Sequence, residues 1–246
     1  MKMVFKMNSK NFQVIDGFNI IAPAYDLASD AITFGLHRVF RSRLCSNAIS
    51  LTPQNGTLLD LATGTGDVVL KVAHSRPDIS ITGLDAAEGM LNIAQKKIEH
   101  KAKLFQKNIE FKLGDALAIP FSNETFDTIT ISWGIRNFTP LSVALKEIMR
   151  VLKPKGHLII LEVGKPEFSS IQKISRLCKK NFPKIESKLT DFLPVSFQQA
   201  NLSESFPSGS QLVAELYDSG LINAKSTNPL GAGFVYLYSA QKPAAR

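Results

Sequence analysis

The chemistry-bearing residues of this 246-residue chain gather in four short clusters. Asp60-Leu61-Ala62-Thr63-Gly64-Thr65-Gly66-Asp67 is the first. Its glycines let the backbone turn tightly and pass close to a ligand with no Cβ in the way. The N-terminus of a following helix would face the same space, and a nucleotide-like cofactor fits there. A dinucleotide fingerprint needs a third glycine, but that position holds Val69, so the NAD pattern is incomplete. Asp85 is the second cluster, about 20 residues past Gly66, where a carboxylate can accept both hydroxyls of a ribose. It is equally suited to cap a helix beginning at Ala86, and the two roles are compatible. Met90 is placed either to lie against an adenine ring or to fill the core. Gly114-Asp115-Ala116 is the third, with a carboxylate for the exocyclic amine of adenine and backbone beside Ala116 for the ring edge. Ser132-Trp133-Gly134-Ile135-Arg136-Asn137 is the fourth, where the reaction should be decided.

The elements that must position these clusters alternate strand and helix from residue 57 onward, which predicts right-handed β-α-β units and a mostly parallel sheet. Strands are expected over 57–61, 79–84, 108–113, 126–132 and 157–163, the last so apolar that it should be buried on both faces. Helices are expected over 67–73, 86–100 and 141–152, with Lys153-Pro154-Lys155-Gly156 as a stop signal. A helix over 209–219 ending at Gly220, and a closing antiparallel strand over 234–240, complete the pattern. Clusters one to four then fall at the carboxyl ends of successive strands, where open parallel sheets collect ligands. The chain before residue 53 and the stretch from about 167 to 206 follow neither rhythm and read as a cap over the substrate side.

Composition narrows the class. Apolar residues make up 44% of the chain, enough for a sizeable core, and no segment approaches the roughly 20 apolar residues of a membrane span. No signal-peptide pattern follows Lys2, Lys6 and Lys10, so a soluble cytoplasmic protein is expected. Cys45 and Cys178 lie far apart and outside any Cys-x-x-Cys pattern, which suggests neither disulfide nor metal site. The net charge of +8 sits largely over 96–107 and 165–188, both readable as solvated helix faces.

An acidic residue ahead of a Gly-x-Gly turn resembles the first motif of the class I methyltransferases, whose cofactor sets a charged amino-acid end beside that loop. Enzymes of that class that methylate base or amide nitrogens carry Asp or Asn, two prolines and an aromatic at the end of the fourth strand. This chain does not, and no cysteine nucleophile lies near it. More specifically, the chain resembles the ubiquinone/menaquinone biosynthesis C-methyltransferases. Their Asp-Leu-x-x-Gly-Thr-Gly-Asp turn and Ile-Ser-x-Gly-x-Arg-Asn segment occur together here at 60–67 and 131–137. Phe18, Ala22, Ala24-Tyr25-Asp26 and Phe34-Gly35-Leu36-His37-Arg38 match the family's N-terminal cap, and the likeness runs over about 18–166.

The resemblance implies an α/β, Rossmann-like fold. A seven-stranded, mostly parallel sheet would carry helices on both faces and a helical cap, with residues 1–53 as the cap and 54–246 as the cofactor-binding domain. It implies S-adenosyl-L-methionine as cofactor, with contacts at Thr65, Asp85, Asp115, Ala116 and Ser132 beside Gly64 and Gly66. Trp133, Arg136 and Asn137 then face the substrate. The implied reaction moves a methyl group to a ring carbon of a polyprenylated quinol, foremost demethylmenaquinol, alternatively a methoxy-polyprenyl-benzoquinol. Arg136, helped by Tyr25, would steady the developing oxyanion, with His37 or Asp30 as proton acceptors. Arg136 could instead tie the cap to the sheet through a carboxylate. A polyprenyl tail implies transient contact with the inner face of a membrane; no nucleic-acid partner is expected, and a homodimer is compatible. Other small molecules, RNA, and cofactor binding without turnover stand as competing readings. The sequence departs from the family at Thr63, usually Gly, at Ala86-Ala87-Glu88-Gly89, and over 191–207, where Ser196-Phe197-Gln198-Gln199-Ala200 replaces a Tyr-rich segment.

Overall fold

The computed structural model describes residues 9–101, 106–165, 206–229 and 234–245. Three helices come first: α1 (Ser9–Ile21), α2 (Tyr25–Thr33) and α3 (Leu36–Leu51). The alternating part follows as β1 (Thr57–Leu61), α4 (Asp67–Ser75), β2 (Ser80–Asp85), α5 (Glu88–Lys101), β3 (Ile109–Leu113), β4 (Phe126–Ser132), α6 (Leu141–Val151) and β5 (Leu152–Val163). It closes with α7 (Ser210–Asp218), β6 (Ile222–Thr227) and β7 (Val235–Gln241). The strands form one seven-stranded sheet in the order β3-β2-β1-β4-β5-β7-β6. Pairings from β3 to β5 are parallel, and β7 runs antiparallel to both β5 and β6.

Side chains of a strand alternate between faces, and the two faces build two cores. Leu59, Leu61, Ile129, Ile131, Leu158 and Ile160 pack with α6 and α7 on one side. Leu58, Ile81, Ile159 and Leu161 pack with α3 and α4 on the other. Helix α4 docks by burying Val68, Val69, Val72 and Ala73 on one stripe, and α6 does so with Ala144, Leu145, Ile148 and Val151.

Three features differ from the sequence reading. Strand β6 has no counterpart there: it is an edge strand whose inward residues are few, with Ala224 its buried member, so its apolar alternation is faint. Lys153-Pro154-Lys155-Gly156 does not stand before β5 but lies within it as an irregularity, where the register against β4 shifts between Phe126 and Thr128. Gly156 is required there, because a Cβ would fall 2.8 Å from the Lys153 carbonyl oxygen and 3.0 Å from that of Asp127. Helix α3, read as cap, buries Phe40, Leu44, Cys45 and Ala48 in the sheet's own core. The roof over the strand ends is therefore α1, α2 and the turn between them, which pack through Ile15, Phe18, Ile21, Ala22 and Tyr25 against Ala87, Met90 and Ile93. Cys178 and the segment over about 167–205, including Ser196–Ala200, lie outside the described residues.

Candidate active site

A cleft opens over the carboxyl ends of β1, β2, β3 and β4, roofed by α1 and α2. Gly64 lines it with φ +56°, and a Cβ there would meet nothing within 4 Å, so the backbone itself faces the open space. Gly66 serves packing instead. At φ +79° a Cβ would press on Ala94 at 3.0 Å and Phe111 at 3.2 Å, so the glycine lets the loop seat on α5. Asp60 stays behind the loop, buried, where its carboxylate accepts from Thr63 Oγ1 at 2.6 Å and Thr130 Oγ1 at 2.7 Å. Loss of water pushes its pKa up to about 6. Thr63, the departure from the family's glycine, is thus one of the two hydroxyls that satisfy this carboxylate.

Asp85 does two things at once. Its Oδ2 accepts from the Gly64 N–H at 2.7 Å and its Oδ1 from the Ala87 N–H at 2.9 Å, so it ties the glycine turn to the start of α5 while lining the cleft. Burial raises its pKa and those backbone donors oppose the rise. Asp115 accepts from the Leu117 N–H at 2.9 Å, which shapes the turn that brings Asp115 and Ala116 to the cleft wall. Met90 both lines the cleft and packs in the core beneath α1, so its two readings coexist.

Backbone strain gathers where the first and fourth clusters meet. Trp133 at φ +62° and Ala62 at φ +57° occupy the left-handed region, which costs a residue with a Cβ about 1–3 kcal/mol. Gly134 permits the close approach of these two turns, since a Cβ there would lie 2.6 Å from that of Ala62. Three buried polar atoms of cleft residues, Ser132 Oγ, Trp133 Nε1 and Asn137 Oδ1, have no hydrogen-bond partner among the described residues. Buried polar groups are normally satisfied, so such a set marks a place for a polar ligand or water. Tyr25 comes down from the roof to line the same cleft. Burial pushes its phenol above the ordinary value, with Arg41 and Arg136 opposing.

Gly64, Asp85, Asp115, Ala116, Ser132, Trp133, Asn137 and Tyr25 are thus brought together, while Thr65, Gly66, Arg136 and His37 do not line the cleft. Arg136 donates from Nη1 to Glu162 Oε1, a carboxylate of β5 that is itself buried. His37 is buried beside Thr33, with Nδ1 2.6 Å from its hydroxyl, and desolvation lowers its pKa. Asp30 is engaged by Arg38 through both carboxylate oxygens. Thr65 donates to Asp26 Oδ1 at 2.7 Å and accepts from Lys97 Nζ at 2.9 Å. Sequence alone does not single out Lys97 or Glu162. Lys97 belongs to a run readable as a solvated face, and Glu162 sits in an apolar strand; only the long-range pairings reveal them.

The donor set suits S-adenosylmethionine. The open backbone at Gly64, carboxylates at the ends of β2 and β3, and the unpartnered Ser132 hydroxyl at the end of β4 supply acceptors and donors for an adenosine with a charged amino-acid end. A parallel sheet closed by an antiparallel last strand, with these residues along its carboxyl edge, defines a class I S-adenosylmethionine-dependent methyltransferase. A solved S-adenosylmethionine-dependent methyltransferase from Aquifex aeolicus superposes with a TM-score of 0.56 at 20% identity, over 79% of this chain and 86% of that one. Residues 6–242 match the model of the ubiE/COQ5 methyltransferase family, and the chain belongs to that family. It is 34% identical to a ubiquinone/menaquinone biosynthesis C-methyltransferase of Geotalea daltonii, over 97% of this chain and 100% of the relative. It is also 34% identical to a demethylmenaquinone methyltransferase of Lactococcus lactis, over 98% of this chain and 93% of that relative.

Proposed function

We propose that the protein transfers the methyl group of S-adenosylmethionine to a ring carbon of a polyprenylated quinol, with demethylmenaquinol as the foremost substrate. The observation that carries this reading is a single cleft lined both by polar groups, among them the carboxylates of Asp85 and Asp115, and by an apolar and aromatic wall. The latter is built from Val14, Ile15, Phe18, Tyr25, Trp133 and Phe138. The relatives' names, a ubiquinone/menaquinone biosynthesis C-methyltransferase and a demethylmenaquinone methyltransferase, support the same substrate class, and a methoxy-polyprenyl-benzoquinol is the second reading.

Bound cofactor supplies an electrophilic methyl on a sulfonium. The chain's own residues then have to hold the two reactants in line, make the ring carbon more nucleophilic, and keep water out. Asp85, Asp115 and the Gly64 backbone serve the first need. For the second, electron density rises at the ring as a quinol hydroxyl gives up its proton, so a hydrogen bond to the developing oxyanion raises the rate. Tyr25, kept protonated by its raised pKa, is suited to donate that bond, and the positive charge of Arg136 strengthens it. Asn137 and Trp133 offer an acceptor and a donor for the second ring oxygen. The apolar walls serve the third.

Membrane contact follows from the substrate's tail. The three most exposed large apolar side chains of the described residues, Phe34 at 92%, Leu27 at 76% and Ile20 at 75%, all lie on or beside α1 and α2. Arg38 and Arg43 are exposed nearby in sequence on α3. Exposed apolar side chains on elements that also carry basic residues suit an anionic bilayer surface. No helix among the described residues is long and apolar enough to cross a membrane.

The test is methyl transfer from radiolabelled S-adenosylmethionine to short-chain demethylmenaquinol and methoxy-benzoquinol in parallel, under reducing conditions. Preferred labelling of the naphthoquinol is expected; preference for the benzoquinol would change the pathway, and labelling of neither would sink the reading.

A further inference from the structure

Lys97 of α5 brings its ammonium to a point where three elements meet. Nζ lies 2.5 Å from Asp26 Oδ2 on α2, donates to Asp67 Oδ1 at 2.8 Å at the start of α4, and donates to Thr65 Oγ1 at 2.9 Å in the glycine turn. Thr65 closes the ring by donating to Asp26 Oδ1 at 2.7 Å. The other oxygen of Asp67 is taken by Arg41 of α3, so Asp67 would keep a cation without Lys97. For Asp26 no other cation lies within ion-pair distance among the described residues. The roof is therefore tied at two residues: α1 at Asn19, whose Oδ1 accepts from the Gly89 N–H at 2.8 Å, and α2 at Asp26, which takes both the Thr65 hydroxyl and the Lys97 cation. Asp26 directly follows Tyr25, so fixing its carboxylate fixes where the phenol enters the cleft.

We propose that Lys97 is a positioning residue that locks α2 to the cofactor loop, so that the Tyr25 side of the substrate pocket is assembled on the loop and moves with it. An isolated exposed ion pair would be worth little, but this cation is only 17% exposed and is shared by two carboxylates and a hydroxyl in one network. Asp26 and Asp67 are each about a third exposed, so water can solvate them when the cation is removed and the fold should survive. The kinetic part of the test rests on the quinol reading; the spectroscopic part does not.

Trp133 is the chain's one tryptophan, lines the cleft and packs edge-on against Phe40, with ring centroids 6.5 Å apart, so its emission reports access to the cleft. Lys97→Met keeps the length and apolar stem and removes the charge. With saturating S-adenosylmethionine, it should at least double the quenching of Trp133 by acrylamide. It should also lower kcat/KM for the quinol at least tenfold and leave the cofactor Kd within threefold. Lys97→Arg should recover most of both, and Asp26→Asn combined with Lys97→Met should add little to either single change. Wild-type quenching in Lys97→Met overturns the proposal. So does a kinetic loss without added quenching, or a matching loss of cofactor binding, which would place Lys97 in the cofactor site or the fold. If the wild-type protein methylates neither quinol, the substrate reading fails and the quenching comparison alone decides the role of Lys97.

Discussion

Arg136 and Glu162 form an ion pair inside the protein, the guanidinium 8% and the carboxylate 1% exposed, on neighbouring segments at the carboxyl edge of β4 and β5. The same carboxylate oxygen also accepts from the Val163 N–H at 2.9 Å. Burial pushes the Glu162 carboxyl upward and Arg136 pulls it back. A pair in such a place is weak support for stability by itself, because two desolvated charges can be replaced by apolar groups at little cost. Its value is that it fixes a cation behind the turn carrying Trp133 and Asn137.

Arg136→Ala strands the Glu162 carboxylate and should cost about 3–5 kcal/mol of stability. Turnover should vanish while cofactor affinity persists. The double variant Arg136→Met with Glu162→Leu separates the effects: thermal unfolding should recover, calorimetric cofactor binding should be native-like, and methyl transfer should stay absent. A fully active double variant would remove Arg136 from the mechanism and leave the pair a tie.

Asp85 has a structural and a binding role, and two substitutions separate them. Asp85→Ala removes both. If the carboxylate also takes up the two ribose hydroxyls, two charge-assisted bonds of about 1.5 kcal/mol or more each are lost, so the cofactor Kd should rise on the order of 100-fold. Asp85→Ser keeps a side-chain acceptor for the Ala87 N–H but cannot take both hydroxyls. It should restore thermal stability and not affinity; affinity within threefold of wild type would reduce Asp85 to a cap.

Much of this site is readable from sequence because its residues sit at strand ends, and strand ends follow from apolar periodicity. Asp85, Asp115 and Ser132 come at the close of β2, just past β3, and at the end of β4. What is not readable depends on pairing across long separations. Lys97 reaches back to Asp26 and Thr65, and Glu162 meets Arg136 from the next strand. Nothing in a local window distinguishes Lys97 from Lys96 beside it. Thr65, which the sequence resemblance places among the expected cofactor contacts, is engaged by Asp26 and Lys97, and that too is a property of the folded cap. Strand β6 escapes because an edge strand with one buried side chain leaves hardly any alternation to read.

The exposed apolar side chains of the roof give a prediction independent of chemistry. Leu27→Glu with Phe34→Glu places two negative charges on the surface proposed to meet a bilayer, and both side chains are exposed enough for the fold to tolerate the change. Cosedimentation with phosphatidylglycerol vesicles should drop at least fivefold, with thermal stability unchanged. Equal binding by variant and wild type would move the membrane-facing surface elsewhere.

Asp60 predicts a pH dependence whose sign follows from its burial. Its pKa stands at about 6 in the folded protein against an ordinary 3.8, because desolvation outweighs the hydroxyls of Thr63 and Thr130. The folded state therefore holds a proton that the unfolded chain releases. The stabilisation this represents is fully present below about 3.8 and is lost as pH rises through about 6, in total roughly 3 kcal/mol. Asp60→Asn has nearly the same shape and no titration, and its amide can accept from one threonine hydroxyl and donate to the other. Thermal unfolding followed from pH 4 to 8 should show wild type losing stability relative to Asp60→Asn between about pH 4 and 6, with the difference constant above about pH 7. Groups held low by cation partners, such as Asp67 and Asp127, titrate in both proteins and cancel in the difference. Parallel curves over the whole range would mean that Asp60 ionises at its ordinary value, and the buried carboxylate behind the cofactor loop would then be a permanent charge and not a pH-sensitive one.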